Sequence, residues 1–198
     1  ATTEIYTLSL HDALPISDIY IKINLDGSGK SKIKTGIGFF DHMLEGFAKH
    51  GLFDLEVKVK GDLNVDCHHT IEDTGIVLGE VIRRALGDKS GIKRYGNFLL
   101  PMDETLVMCG VDLSGRPYYV SDLKFTNDRT GEMDNCMVDE FFYAISYSAM
   151  MNLHFVQMRG VNDHHIIEAT FKAFAKALDM ATTVDQRIKG VLSTKGTI

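Results

Sequence analysis

Cysteine is scarce in this chain. The three present, Cys67, Cys109 and Cys136, are odd in number and widely spaced, with no CxxC pairing. That argues against a disulfide framework or a zinc knuckle, and a reduced, cytoplasmic setting is expected. No apolar run approaches the roughly 18 residues of a membrane span, and no basic-then-apolar leader opens the chain. Positive charge is not in excess: 21 Lys and Arg against 27 Asp and Glu leave a formal charge of -6. Neither nucleic acid nor an anionic membrane is therefore expected as a partner, although a local basic pocket could still hold a small anion. Walker and dinucleotide glycine patterns are missing, as are the His-Glu-x-x-His of metal hydrolases and an evident nucleophile pair. The 198 residues, 44% hydrophobic, suit one large domain or two small halves sharing a core.

What stands out against these absences is a pattern that occurs twice. His68-His69-Thr70-Ile71-Glu72 and His164-His165-Ile166-Ile167-Glu168 share the form His-His-x-x-Glu. Each is preceded by a Phe pair (Phe39-Phe40, Phe141-Phe142), a helical period, an alternating strand and a Gly (Gly61, Gly160), and each is followed by a second helical stripe. The order never changes, which predicts an internal duplication. Phe40, Met43, Leu44 and Phe47 fall on one helix face, while Leu55, Val57 and Val59 alternate with charged residues as in a strand. The segments Leu106 to Leu113 and Tyr118 to Leu123 read as further strands. The expected fold is α+β: an internally duplicated sandwich, each copy a sheet with helices on one face. The repeats are expected to run over 18–104 and 105–198 and to form one domain. Residues 1–17 have no clean period and resemble a translated sequencing adapter, a foreign segment to be set aside.

Neutral imidazole and carboxylate are ligands for divalent transition metals. Residues adjacent on a helix point about 100° apart, so the two imidazoles of a pair would address different ions. Two copies supply His68, His69, Glu72, His164, His165 and Glu168, and His42 and His154 add one imidazole each, from places that are not equivalent. Eight ligands over two ions leave open positions for water or substrate. Affinity alone would favour Zn or Cu, and higher coordination with His and Glu suits Mn or Fe. Metals that only assemble a structural or storage shell would use the same residues. The chain also carries candidate anion contacts: Arg94, Arg116 in the Ser114-Gly115-Arg116-Pro117 turn, and Ser193-Thr194-Lys195-Gly196. A shell has no need of them.

The stretches Gly36-Ile37-Gly38-Phe39-Phe40-Asp41-His42-Met43-Leu44, His68 to Gly75, Asp112 to Pro117, His164 to Lys172 and Ser193 to Gly196 together resemble the imidazoleglycerol-phosphate dehydratase family, from about Asp18 to the C-terminus. The resemblance implies a hydro-lyase of histidine biosynthesis that converts imidazole glycerol phosphate to imidazole acetol phosphate through a metal-bound imidazolate. It implies two Mn2+ per active site, held by His42, His68, His69, Glu72, His154, His164, His165 and Glu168. It implies that Arg94, Arg116, Ser193, Thr194 and Lys195 hold the substrate phosphate with Lys172 nearby, that Glu72 or Glu168 can move protons, and that 24 copies form a shell with sites at subunit junctions. Two departures follow from the same comparison. Ile16 stands where members carry an acid–base Glu, which predicts slow turnover, and Cys67 replaces a common Asp.

Overall fold

The computed structural model describes residues 17–198 and the backbone of residues 6–10. Ile16, with residues 1–5 and 11–15, lies outside the described residues. The first sheet has the order β1-β2-β4-β3, from β1 (Tyr6–Leu10), β2 (Asp18–Asn24), β3 (Ser31–Lys34) and β4 (Asp54–Lys60). The second has the order β5-β6-β10-β7, from β5 (Tyr95–Met102), β6 (Thr105–Asp112), β7 (Tyr118–Ser121) and β10 (Asn152–Arg159). Each has two antiparallel pairings and one parallel edge pairing, in the same order. Between strands run α1 (Gly38–Gly51), α2 (His68–Ala85), α3 (Met137–Ala149) and α4 (Asp163–Thr182), and a small hairpin, β8 (Arg129–Thr130) and β9 (Met133–Asp134), precedes α3. The duplication read from the histidine motifs is thus a duplication of topology.

The halves meet through their helices. α2 packs mainly on α3 and α1 on α4, so each helix covers its own sheet and closes against the other copy. Eight phenylalanines are fully buried. Phe40 of α1 lies edge-on to Phe141 of α3 at 5.1 Å, Phe141 stacks on Phe171 of α4 at 5.3 Å, and Phe47 of α1 stacks on Phe174 of α4 at 5.4 Å. Burying such a ring is worth roughly 1.5–3 kcal/mol, which ties the halves into one cooperative core. The α2–α3 contact is closer still because Gly75 and Gly79 of α2 face it. A Cβ on Gly75 would lie 2.7 Å from the Phe141 carbonyl oxygen, and one on Gly79 2.8 Å from that of Ile145.

Two details differ from the expectation. The Phe pairs are not equivalent positions. The left-handed caps Leu52 and Met150 are 98 residues apart, and the buried positions of α1 and α3 match at that spacing, so Phe40 corresponds to Val138, one turn away from Phe142. Burial fixes helix register, and phenylalanine serves either turn of the same buried face. Second, β5 is a strand that the sequence pattern does not announce, and it belongs to the second sheet, so the division between sheets precedes Tyr95. As an edge strand carrying Pro101 it lacks the clean alternation of a central strand. β1 lies within residues 1–17, and its backbone pairs with β2 from Tyr6↔Ile23 to Leu10↔Ile19.

Candidate metal centre and anion pocket

His42 projects from the first turns of α1. His164 and Glu168 are four residues apart on α4, where backbone rotation stacks them on one face. Packing of α1 on α4 joins the three: their ligand atoms all lie within 4.8 Å of one another. His164 Nε2 is 3.2 Å and His42 Nε2 3.8 Å from Glu168 Oε2. Lys172 Nζ, 2.6 Å from Glu168 Oε1, closes the carboxylate from the far side. Burial pushes the Glu168 carboxyl up, but the Lys172 ammonium and the two imidazoles outweigh it and hold it below the ordinary range. An ionised carboxylate with two imidazoles within one ion's reach is a donor set that fits a divalent transition metal.

His68 and Glu72 make the corresponding pair at the start of α2, 3.5 Å apart. The α3 residue that corresponds to His42 at the 98-residue spacing is Glu140, a carboxylate in place of the third imidazole. The rings of each His pair stand nearly perpendicular, 6.0 Å apart in His68–His69 and 6.1 Å in His164–His165, as the helical offset of neighbours requires. His69 and His165 turn away from the pair's Glu to other carboxylates. His69 Nδ1 is 3.0 Å from Asp62 Oδ2, and His165 Nδ1 is 2.7 Å from Glu104 Oε2. Hydrogen bonding to these carboxylates raises both imidazoles above the ordinary histidine value, and His165 holds Glu104 down to about 2. Sequence reading passed over Asp62 and Glu104, because nothing local marks a carboxylate in a loop as the partner of a distant imidazole.

His154 lies elsewhere. On β10 it sits between Gly110 of β6 and Val120 of β7, exposed, while its neighbours Leu153 and Phe155 are buried toward the helices. It therefore points to the outer face of the second sheet. Of the eight candidate ligands, one chain brings His42, His164 and Glu168 together as a set of three.

The candidate anion contacts do converge. Arg94, Arg116, Ser193, Thr194 and Lys195 line one pocket of about 780 Å³, which Arg187 and Lys189 make more basic. Arg94 is largely committed: Nε and Nη2 donate to Asp112 at 2.7 and 3.1 Å, and Nη1 donates to the Leu192 carbonyl at 2.8 Å. It is buried, with a left-handed backbone (φ 68°), and anchors the C-terminal tail against β5. The Arg94 N–H donates to the Ala181 carbonyl at the C-terminal end of α4. Glu168 is about 13 residues up that helix, so pocket and metal cluster of one chain are roughly 20 Å apart at 1.5 Å per residue.

The model of the imidazoleglycerol-phosphate dehydratase family matches residues 35–178. The chain belongs to that family. It is 65% identical over 182 residues to the imidazoleglycerol-phosphate dehydratase of Lachnoclostridium phytofermentans, covering 92% of this chain and 93% of that one. It is 59% identical over 180 residues to that of Acetivibrio thermocellus, covering 91% and 92%. Among solved structures, imidazoleglycerol-phosphate dehydratase from Staphylococcus aureus superposes with a TM-score of 0.83 at 38% identity, covering 92% of this chain and all of that one. The Pyrococcus furiosus structure, in complex with (S)-C348, gives 0.81 at 34% identity, covering 96% and all. Family membership makes the chain an enzyme of the hydro-lyase class, and the duplicated fold is the family's. No helix among the described residues is long and apolar enough to cross a membrane.

Proposed function

We propose that this chain dehydrates imidazole glycerol phosphate to imidazole acetol phosphate, in the cytoplasm, as a step of histidine biosynthesis. The observation that carries the reading is the meeting of His42 from one half with His164 and Glu168 from the other, within reach of one ion. Two manganese ions per site would be held by these three residues together with His68, His69, Glu72, His154 and His165. Bound divalent ions would supply the Lewis acidity that makes an azole N–H removable and its ring electron-rich.

The chain's own residues have definable tasks in that reaction. Glu168, kept ionised by Lys172, is suited to balance a bound ion's charge, and it and Glu72, its counterpart in the other half, are the carboxylates available to move protons. Arg116, Ser193, Thr194 and Lys195 would bind the phosphate, and Arg94 would hold the tail that presents them. Lys172 stands at the metal end, where it can meet the substrate's polar chain.

The roughly 20 Å between pocket and cluster exceeds the span of one small phosphorylated imidazole. One site is therefore assembled from more than one copy, with the pocket of one chain facing the cluster of another, and His154, on an outer sheet face, is available to a neighbour. This supports a homo-oligomer, of which the 24-subunit shell is the form proposed. A metal-loaded assay for imidazole acetol phosphate tests the reading. Product from this chain, increased by Ile16→Glu and abolished by Glu168→Ala, is expected. Absence of product from folded, metal-loaded protein, with or without Ile16→Glu, would refute it.

A further inference from the structure

The second histidine of each pair is braced by a carboxylate that belongs to no sequence motif. We infer that Asp62 and Glu104 are positioning residues: each accepts the Nδ1–H of its histidine and so presents the Nε2 lone pair of His69 or His165 to the metal. The inference rests on the proposed reading of those histidines as ligands. A neutral imidazole has one N–H and one acceptor nitrogen, and a carboxylate at Nδ1 settles which is which and how the ring is turned.

Three observations support it. The distances, 3.0 Å at His69 and 2.7 Å at His165, both involve Nδ1, whereas His68 and His164 approach their own Glu through Nε2. The halves reach this shared arrangement by different routes. Asp62 lies just beyond β4, and Glu104 lies in the turn between β5 and β6, after Asp103 in its left-handed conformation (φ 49°). A feature merely inherited from the duplication would occupy corresponding loops, and these loops do not correspond. Finally, Asp62 keeps Oδ1 buried with no hydrogen-bond partner among the described residues, while Oδ2 meets His69. Burying a carboxylate is costly, and the Oδ2 contact with His69 offsets part of that cost.

The test is manganese binding to metal-stripped full-length protein, read from free Mn2+ by electron paramagnetic resonance, alongside the melting temperature of the metal-free form. Asp62→Ala and Glu104→Ala are expected to raise Kd for Mn2+ by about 10- to 100-fold. Asp62→Asn and Glu104→Gln, whose amide oxygen still accepts from Nδ1–H, should lose less than about tenfold. Glu104 also accepts the Asn162 N–H at 3.1 Å, so its alanine variant can disturb the start of α4. Asp62 is the cleaner case, and its metal-free variants should melt within about 2 °C of the parent. Parent-like Kd in Asp62→Ala, or equal losses in the Ala and Asn variants, would overturn the inference while His69→Ala and His165→Ala still lose metal. Parent-like Kd in those two histidine variants would overturn the ligand reading itself.

Discussion

His42 Nε2 stands 3.8 Å from Glu168 Oε2, although the two residues come from opposite copies of the repeat. Their meeting depends on α1 lying against α4, and so on the phenylalanine layer that joins the halves. His42→Ala should leave folding intact, since the imidazole is half-exposed, and should weaken metal binding by at least about tenfold. Glu168→Gln keeps the shape but not the charge, and activity should fall by about 100-fold or more. Isothermal titration with Mn2+ and product formation check the two separately. Parent-like metal affinity in His42→Ala together with parent-like activity in Glu168→Gln would remove this cluster from the site.

The Glu104–His165 pair predicts a pH window in the metal-free chain. His165 is raised above its ordinary 6.5, so its contribution is fully present below 6.5 and fades as pH rises through the raised value. Glu104 is lowered from 4.5 to about 2, so its contribution is present above 4.5 and is lost as pH falls toward 2. The melting-temperature difference between the parent and Glu104→Gln should peak between pH 4.5 and 6.5 and shrink on either side. A difference that grows steadily above pH 8 would contradict the pairing.

Glycine in α2 predicts opposite outcomes from one type of substitution. Gly75→Ala and Gly79→Ala place a methyl against the α3 backbone and should each destabilise by about 1–3 kcal/mol. Gly46→Ala in α1 meets nothing within 4 Å among the described residues and should stabilise by up to about 1 kcal/mol through helix propensity. Denaturant midpoints distinguish the two directions.

Asp112 holds Arg94 in a two-pronged ion pair, and Arg94 holds the tail at Leu192. Asp112→Asn weakens that anchor without touching the metal cluster. KM should rise roughly tenfold with kcat changed less than about twofold, the pattern of lost uniform binding. A fall in kcat at unchanged KM would place Asp112 in the chemical step.

Much of this protein was legible from the chain alone because helical and strand periods are local properties. The repeated His-His-x-x-Glu, the stripe Phe40, Met43, Leu44 and Phe47, and the alternation of Leu55, Val57 and Val59 announced a duplicated α+β fold and its ligand types. Side-chain direction along one helix also separated the neighbouring imidazoles. Only the tertiary structure decided what lies across from what. The register of α1 against α3, the place of β5 in the second sheet, the joining of His42 to Glu168, and the reach of Asp62 and Glu104 to their histidines all depend on packing between segments far apart in sequence. So does the distance between the Arg94 pocket and the metal cluster. Residue spacing along a chain specifies which groups share a face, and the burial of the phenylalanine layer between the two copies specifies which faces meet.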